Sequence, residues 1–297
     1  MSCEITPLRS QGPRARGGAP YKLDIRERAR QLAAKPHIDV HVVDHCNLGC
    51  KGCVHFSPVA EPRFLDLAAY EADLRELARI PGLGSHLSGF SLMGGEPLLH
   101  PRLPEVIRLT RSCLPDAPIV LDSNGLLLKR MKEDFWDALV GCGVRLAISP
   151  YPLKVDYPAL VELARSHGAD ASFVADVTRS DWGKEAFFQL ALDSRGAQDP
   201  VYAFNRCPFG GVFMQLHGGR LWPCQVAGRS QALNRRFGTS FQPMQEDSLL
   251  LSEIRTVDDI EAFRRQAHPM CRYCDNDGLA VSAWARSART PDEWISS

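Results

Sequence analysis

Short apolar segments alternate with helical patterns along residues 37–177 of the chain. The predicted strands are His37–Val43, Phe90–Met93, Pro118–Leu121, Val144–Ser149 and Ala171–Val177. The predicted helices are Asp66–Ile80, a helix with Pro104 as its first residue, Lys129–Val140 and Tyr157–His167. Strands separated by helices favour parallel β/α units that close wholly or partly into a barrel. Their right-handed crossovers place every strand-to-helix loop at one end.

This alternation ends after the fifth strand, and residues 180–206 show no regular pattern. Residues 212–223 then predict a β-hairpin that turns on Gly218 and Gly219, and Val257–Gln266 predicts a helix. We therefore expect three parts in the chain. They are a flexible N-terminal tail with one short helix (1–36), a barrel (37–206) and a smaller C-terminal unit (207–297).

Composition narrows the class of protein. The chain has 297 residues, of which 44% are hydrophobic, and its formal net charge is zero. It therefore lacks the basic excess that binds nucleic acid or anionic membranes. With no apolar stretch long enough to cross a bilayer and no apolar signal core at the start, a cytoplasmic protein is expected. In a reducing compartment the clustered cysteines, seven of the ten, are expected to bind metal or act in redox chemistry, while Cys3, Cys113 and Cys142 stand apart.

Three of these cysteines, Cys46, Cys50 and Cys53, lie in one loop directly after the first predicted strand. Three thiolates can hold three irons of a [4Fe–4S] cluster and leave the fourth iron open to another ligand. Structural zinc needs four closed ligands, and His45 or His55 could complete such a site. The β/α context, which a zinc ribbon lacks, favours the cluster.

The stretch from Asp44 to Cys53, DHCNLGCKGC, resembles the signature of the radical S-adenosylmethionine (SAM) superfamily. The resemblance implies a cluster on the three cysteines, with SAM chelating the unique iron through its amino and carboxylate groups. It also implies reductive cleavage of SAM to methionine and a 5′-deoxyadenosyl radical, which takes a hydrogen atom from the substrate. At the SAM site the family often has an aromatic residue where this chain has Gly52. Two alternatives follow: Phe56 supplies that packing against adenine, or the adenine pocket differs from that of the family.

Three segments at the ends of predicted strands resemble the SAM-binding parts of this family. The segment that closes the second strand consists of Gly94, Gly95, Glu96 and Pro97. It is similar to the family's GGEP motif, which implies that backbone and carboxylate hold the methionyl ammonium. Asn124 lies in a TNG-like turn, and Ser149 ends the fourth strand, where relatives place a polar group on SAM. A plain turn or helix cap explains Asn124 and Ser149 equally well.

Four more cysteines lie in the C-terminal part: Cys207, Cys224, Cys271 and Cys274. The first two bracket the predicted hairpin, and the last two form a CxxC pair. Four thiolates can close a zinc site or a second [4Fe–4S] cluster with no open iron, and their spacing does not separate the two. The set resembles the twitch unit, a shortened SPASM module, and its spacing is similar to that of 2-deoxy-scyllo-inosamine dehydrogenases. This resemblance implies an auxiliary [4Fe–4S] cluster.

The expected fold is therefore α/β, a partial (β/α)6 TIM-like barrel with a small C-terminal β-hairpin/helix auxiliary-cluster domain. The resemblance implies an oxidoreductase that takes hydrogen from a small polar substrate such as a sugar or aminocyclitol, while the auxiliary cluster accepts an electron. A flavodoxin or ferredoxin-type protein is the expected electron donor. Tyr151 and Lys184 are the candidate catalytic residues. Weaker candidates for substrate contact are Lys154, Arg179, Asp181, Arg206 and Arg220, each also explained as a solvated surface charge.

Three alternatives stay open. The first is radical epimerisation, although no spare cysteine is obviously placed as a hydrogen donor. The second is peptide modification, although the residues before the first strand are too few for a leader-binding domain. The third is a zinc-stabilised interaction protein. The segment between Trp284 and Trp294 is expected to pack onto the barrel.

Overall fold

The computed structural model describes residues 19–20, 22–23, 25–174, 179–180, 183–184 and 186–296. The strands are β1 (Ala19–Pro20), β2 (His37–Val43), β3 (Gly89–Gly94), β4 (Ile119–Ser123), β5 (Arg145–Ile148), β6 (Ala171–Phe173), β7 (Arg179–Ser180), β8 (Gly183–Lys184), β9 (Ala186–Gln189), β10 (Leu192–Asp193), β11 (Phe213–His217), β12 (Arg220–Trp222), β13 (Leu249–Leu250), β14 (Ala280–Ala283) and β15 (Ile295–Ser296). The α-helices are α1 (Ile25–Ala33), α2 (Leu67–Ala78), α3 (Leu83–His86), α4 (Leu103–Cys113), α5 (Glu133–Gly141), α6 (Tyr157–Ser166), α7 (Pro200–Asn205), α8 (Gln225–Arg229), α9 (Gln231–Phe237) and α10 (Val257–Arg264).

Six parallel strands form the larger part of one eight-stranded sheet in the order β13-β12-β11-β2-β3-β4-β5-β6. The helices α2, α4, α5 and α6 connect β2 through β6 in sequence. The sheet does not close, since β13 and β6 stand at its two ends. The expected α/β fold with a partial barrel is therefore confirmed.

The two faces of the parallel strands differ in chemistry, because side chains alternate across a strand. On β2, Ile38, Val40 and Val42 join the large hydrophobic core together with the buried face of α2. Asp39 and His41 alternate with them and are also buried. One face of the barrel sheet therefore packs under the helices, and the other carries buried polar groups.

The predicted hairpin forms as β11 and β12, and it turns on Gly218 and Gly219 with φ of 62° and 71°. Both values lie in the left-handed region that a two-residue hairpin turn requires. Strand β11 also pairs in parallel with β2, so the hairpin continues the barrel sheet. The expected boundary after residue 206 stays a prediction, and the two parts share this sheet.

Two stretches differ from the sequence expectation. Residues 180–206, expected to be irregular, contain β9, β10 and α7 among the residues described. Helix α7 begins with Pro200, and the Asp199 side chain accepts a hydrogen bond from the backbone of Tyr202. This is a regular helix start that the periodicity alone did not reveal. The predicted helix Lys129–Val140 is split, because a 3₁₀ turn precedes α5.

The described elements of the N-terminal part, β1 and α1, contact the rest of the chain. Strand β1 pairs with β14, and β14 pairs with β9. Helix α1 buries Arg28, which is 3% exposed. Within the part of the chain described, no helix is both long and apolar enough to cross a membrane.

Candidate active site

The first cysteine loop lies against the end of β3, held there by backbone contacts. The N–H of Gly95 donates to the carbonyl of Val43 at 2.6 Å, and the N–H of Glu96 donates to the carbonyl of His45 at 3.0 Å. A Cβ added to Gly95 would overlap the His45 carbonyl oxygen. Glycine is therefore required here because the two backbones approach too closely for a side chain.

Two of the three thiols in this loop, those of Cys46 and Cys50, have N–H donors directed at them. The backbone N–H of Leu48 lies 3.4 Å from Cys46 Sγ, and Trp284 Nε1 lies 3.3 Å from Cys50 Sγ. Asn124 Nδ2 lies 3.8 Å from Cys46 Sγ. N–H groups directed at sulfur stabilise thiolates bound to iron.

Burial also constrains the state of these thiols. It raises the pKa of Cys46 to about 11, so the metal-free thiol is protonated at neutral pH. Binding a metal would displace that proton. Three thiols in one loop, with N–H donors directed at two of them, therefore fit a [4Fe–4S] cluster.

Glu96 connects the ends of β3 and β4. Its side chain is 0% exposed and accepts hydrogen bonds from the Ser123 hydroxyl at 2.6 Å and the Asn124 N–H at 2.9 Å. Burial raises the pKa of Glu96 to about 7, although these donors act in the opposite direction. The carboxylate thus organises the turn after β4, and its expected contact with SAM stays a prediction.

The other expected SAM contacts lie around the same loop. Pro97 begins the 3₁₀ turn that follows Glu96 and is buried. Asn124 donates through Nδ2 to Asn47 Oδ1 at 2.8 Å, which links the turn after β4 to the cysteine loop. The N–H of Ser149 donates to the Ser123 carbonyl at 2.9 Å. The residues expected at the SAM site are therefore close neighbours at one end of the sheet.

Tyr151 lies beside the three thiols. Its ring stacks on Phe187 at 5.8 Å between centroids, and the Trp284 ring lies 6.3 Å away. Burial raises the pKa of Tyr151 well above its usual range, and negative charge on the nearby cysteines raises it further. The hydroxyl is therefore protonated at neutral pH, and can donate a hydrogen bond rather than act as a base.

The charged candidates for substrate contact have varied surroundings. Lys184 and Arg179 lie in β8 and β7, and their side chains are outside the described part, as is the whole of Asp181. Arg206 is exposed and lies 3.5 Å from Asp277. These placements leave the predicted catalytic role of Lys184 untested.

The C-terminal segment is attached directly to the cysteine loop. The N–H of Lys51 donates to the carbonyl of Ala285 at 2.8 Å, and the indole of Trp294 donates to the carbonyl of Cys53 at 2.9 Å. The N–H of Gly52 donates to the Glu293 carboxylate at 3.2 Å. From the sequence we expected the segment between Trp284 and Trp294 to pack onto the barrel. The structure adds a direct contact with the cysteine loop, for which these two tryptophans were the signal in the sequence.

Phe56 does not take the position expected of it. Its side chain is 0% exposed and packs edge-on against Trp294, with 6.5 Å between the ring centroids. Burial in this apolar cluster removes the ring from the expected packing against adenine. Phe56 packs against the C-terminal segment instead, which leaves the other alternative, an adenine pocket that differs from that of the family.

The second set of cysteines surrounds one cavity. Its lining includes the four thiols of Cys207, Cys224, Cys271 and Cys274. The rest of the lining includes Phe204 and Met270. Burial raises the pKa of Cys271 to about 12, and negative charge on Cys207 also acts to raise it.

Four thiols around one small, apolar cavity fit a fully ligated metal centre, since such thiols ionise on binding metal. The N–H of Gly210 donates to Cys207 Sγ at 3.2 Å. Among the residues described, no three His, Cys, Asp or Glu side chains are grouped so that they could hold a metal ion. This holds for the first cysteine loop as well as for the second set, whose thiols line a cavity rather than meet at one point.

A separate polar cavity lies between the cysteine loop, β11 and α8. It is lined in part by His41, Asp44, His55, His217 and Arg229. Arg229 pairs with Asp44 at 2.9 Å, and His41 Nε2 lies 2.9 Å from His55 Nδ1. Burial lowers the pKa of His41 and of His217 to about 4, so both are neutral at pH 7.

Residues 40–153 match the family model of the radical SAM superfamily. GTP 3′,8-cyclase of Chlorobaculum tepidum is 30% identical over 126 residues, which cover 40% of this chain and 36% of the relative. GTP 3′,8-cyclase 1 of Mycobacterium tuberculosis is 22% identical over 286 residues, which cover 88% of this chain and 75% of the relative. Among solved structures, BtrN in complex with AdoMet and 2-DOIA is 17% identical with a TM-score of 0.49, over 80% of this chain and 92% of that one.

The matches to the first curated relatives span about a third of their length, 36% and 31%. The matched family segment contains Cys46, Cys50, Cys53, Glu96, Asn124, Ser149 and Tyr151. By this match residues 40–153 contain a radical SAM domain, which implies SAM and a [4Fe–4S] cluster.

Proposed function

We propose that this enzyme is an oxidoreductase that removes hydrogen from a small polar substrate and passes one electron to an auxiliary [4Fe–4S] cluster. The observation that carries the proposal is one small cavity whose lining includes all four cysteines of the second set. A site with four thiolates has no open iron, so it is suited to electron transfer rather than to binding SAM or substrate.

The chain's own residues have distinct roles in this proposal. Cys46, Cys50 and Cys53 hold the SAM-binding cluster, which together with SAM supplies a radical able to take a hydrogen atom. Gly94 and Gly95 allow the end of β3 to approach the loop, and the buried Glu96 fixes the turn after β4 through Ser123 and Asn124. These contacts support a rigid SAM site at the end of the parallel strands.

We assign to the C-terminal segment and to the rings beside Tyr151 the role of excluding water from the SAM site. Trp284 donates to Cys50 Sγ, and with Phe187 it flanks Tyr151. Such a cover protects a reactive radical from solvent. We assign to the protonated Tyr151 a hydrogen bond to substrate or SAM rather than the role of base, and Lys184 stays the candidate base.

A small polar substrate is supported by the polar cavity beside the cysteine loop. Its lining brings together the neutral His41 and His217 and the ion pair between Arg229 and Asp44. Neutral imidazoles and a paired guanidinium can donate and accept hydrogen bonds to hydroxyl and amino groups. We propose a sugar, an aminocyclitol or a related metabolite as the substrate class.

The test combines product mass with metal content. Anaerobic incubation with SAM, a reductant and candidate sugars or aminocyclitols should give a product about two mass units lighter than the substrate, one such change per turnover. Replacing Cys271 and Cys274 by Ala should spare SAM cleavage and block that product. A product of unchanged mass and altered stereochemistry would instead indicate epimerisation, and zinc without sulfide in the second site would exclude the proposed electron acceptor.

A second candidate is favoured by the curated relatives, which are named GTP 3′,8-cyclase. This chain could act on a purine nucleotide by radical cyclisation. Incubation with GTP under the same conditions separates the two proposals. In a cyclisation, the hydrogen atom taken by the radical is replaced by one electron and one proton after the ring closes, so the product keeps the mass of GTP, whereas dehydrogenation lowers the substrate mass by about two units. Four cysteines in the second set leave no open iron to bind the base, which favours the oxidoreductase.

A further inference from the structure

Arg28 is a buried cation with little hydrogen bonding. It lies on α1, is 3% exposed, and its Nη2 donates to the carbonyl of Gly210 at 2.6 Å. The guanidinium carbon lies 4.5 Å from the centre of the Phe204 ring. Within the described residues, Nε and Nη1 are shielded from solvent and have no hydrogen-bond partner.

A second buried arginine provides the comparison. Arg264 is 1% exposed and donates to the carbonyl of Gly211 at 3.2 Å, one residue from the contact of Arg28. It pairs with the Glu261 carboxylate at 2.8 Å. No ion pair to a carboxylate is found for Arg28 among the residues described. Burying an unpaired charge costs several kcal/mol, roughly, so an anion is expected next to it.

The second cysteine set supplies that negative charge. Gly210 and Phe204, the two contacts of Arg28, both line the cavity of the four thiols. The N–H of Gly210 donates to Cys207 Sγ at 3.2 Å. Burial lowers the pKa of Arg28, and the charges of Cys207, Cys271 and Cys224 raise it again. The guanidinium therefore lies within electrostatic reach of three of the four proposed ligands.

We propose that Arg28 is the counter-charge of the auxiliary cluster and raises its reduction potential. The inference rests on the proposed function, in which this cluster accepts one electron. A cluster with four thiolates is an anion, and it becomes more negative by one charge when it is reduced. A buried cation stabilises the reduced form more than the oxidised form, because screening by water is weak there. Arg28 is thus a positioning residue for charge and has no contact with substrate.

The test measures the auxiliary cluster by itself. In a protein with Cys46, Cys50 and Cys53 replaced by Ala, only the second site can hold a cluster. An anaerobic redox titration followed by electron paramagnetic resonance then gives its potential. Arg28→Gln should lower the equilibrium constant for reduction by about tenfold or more, a shift of about 59 mV for one electron. Arg28→Lys keeps the charge and should retain most of the potential.

The control is Arg206→Gln, next to a proposed ligand but 43% exposed in its side chain and paired with Asp277. The potential of the auxiliary cluster should be the same with and without this substitution, because water screens the charge of the exposed Arg206. An unchanged potential in Arg28→Gln, with iron and sulfide retained, overturns the inference and leaves the proposed function standing. Loss of the cluster from both Arg28→Gln and Arg28→Lys also overturns it, since lysine keeps the charge. Absence of iron and sulfide from the background protein overturns both proposals.

Discussion

Close backbone packing at Gly95 makes this residue sensitive to any side chain. Gly95→Ala would bring Cβ against the His45 carbonyl, so the cysteine loop must move. We expect a loss of about 2 kcal/mol or more in the free energy of unfolding, together with weaker SAM binding. Gly141→Ala is the matched control, because an added Cβ there has nothing within 4 Å. Urea unfolding and SAM titration of both variants test this; equal stability would contradict it.

His41 gives a pH dependence of known sign. Burial lowers the pKa of this 3% exposed imidazole to about 4, from an ordinary value of 6.5. The unfolded chain therefore binds the proton first as the pH falls, and stability is lost from about pH 6.5 down to pH 4. Between pH 7 and pH 5 the wild-type protein should lose about 2 kcal/mol more of its free energy of unfolding than His41→Gln does, because the variant lacks this imidazole.

Thermal or urea unfolding of the anaerobic protein at several pH values measures that slope. His37 and His217 also have pKa values lowered to about 4 by burial, so part of the slope should remain in the variant. The same slope in wild type and His41→Gln would contradict the assignment.

At the residue scale, the chemistry-bearing positions could be read from the sequence because they follow short motifs. The two cysteine sets and Glu96 are such positions. Arg28 could not be found this way, because an arginine in a short charged helix has no pattern that separates a buried charge from a solvated one. Its burial depends on contacts with Gly210, 182 positions away along the chain.

At the scale of elements, the C-terminal segment has the clearest testable effect. The indole of Trp284 donates to Cys50 Sγ, and N–H donors to sulfur raise the reduction potential of an iron–sulfur cluster. Trp284→Phe keeps the ring and removes the donor, so the potential of the SAM-binding cluster should become more negative. Trp136→Phe, in α5 and packed on His167, is the control. A redox titration that gives equal potentials for Trp284→Phe and wild type would contradict this role.

The spacing of apolar residues and the turn residues predicted most elements between residues 37 and 174. Each of these strands and helices has its own apolar spacing, which can be read from the local sequence. The hairpin at Gly218 and Gly219 was also predicted. Its parallel pairing with β2 was not, since Leu216 and Val40 are far apart in sequence and pair only in the folded sheet. Strands β9 and β14 were missed for the same reason, as they pair with each other across about ninety residues.

At the scale of the whole molecule, the two cysteine sets are joined by one packed core. An apolar cluster contains Phe56 beside the first cysteine loop, Trp294, and the second-site residues Cys224 and Cys274. The N–H of Leu192 donates to the Trp294 carbonyl at 2.8 Å, and Leu192 forms a β-bridge with Cys274. We therefore expect anaerobically purified protein to contain about eight irons, and the variant without Cys46, Cys50 and Cys53 about four. Iron and sulfide analysis measures both.

The proposed chemistry depends on a cluster on Cys46, Cys50 and Cys53 that has one iron without a protein ligand. Spectroscopy of the reduced cluster tests this directly. Adding SAM to the reduced anaerobic protein should change the paramagnetic resonance signal of one cluster, because SAM becomes a ligand of its unique iron. The protein in which these three cysteines are replaced by Ala should keep the auxiliary signal and show no change with SAM. A wild-type spectrum that SAM leaves unchanged would contradict the presence of an open iron that binds SAM.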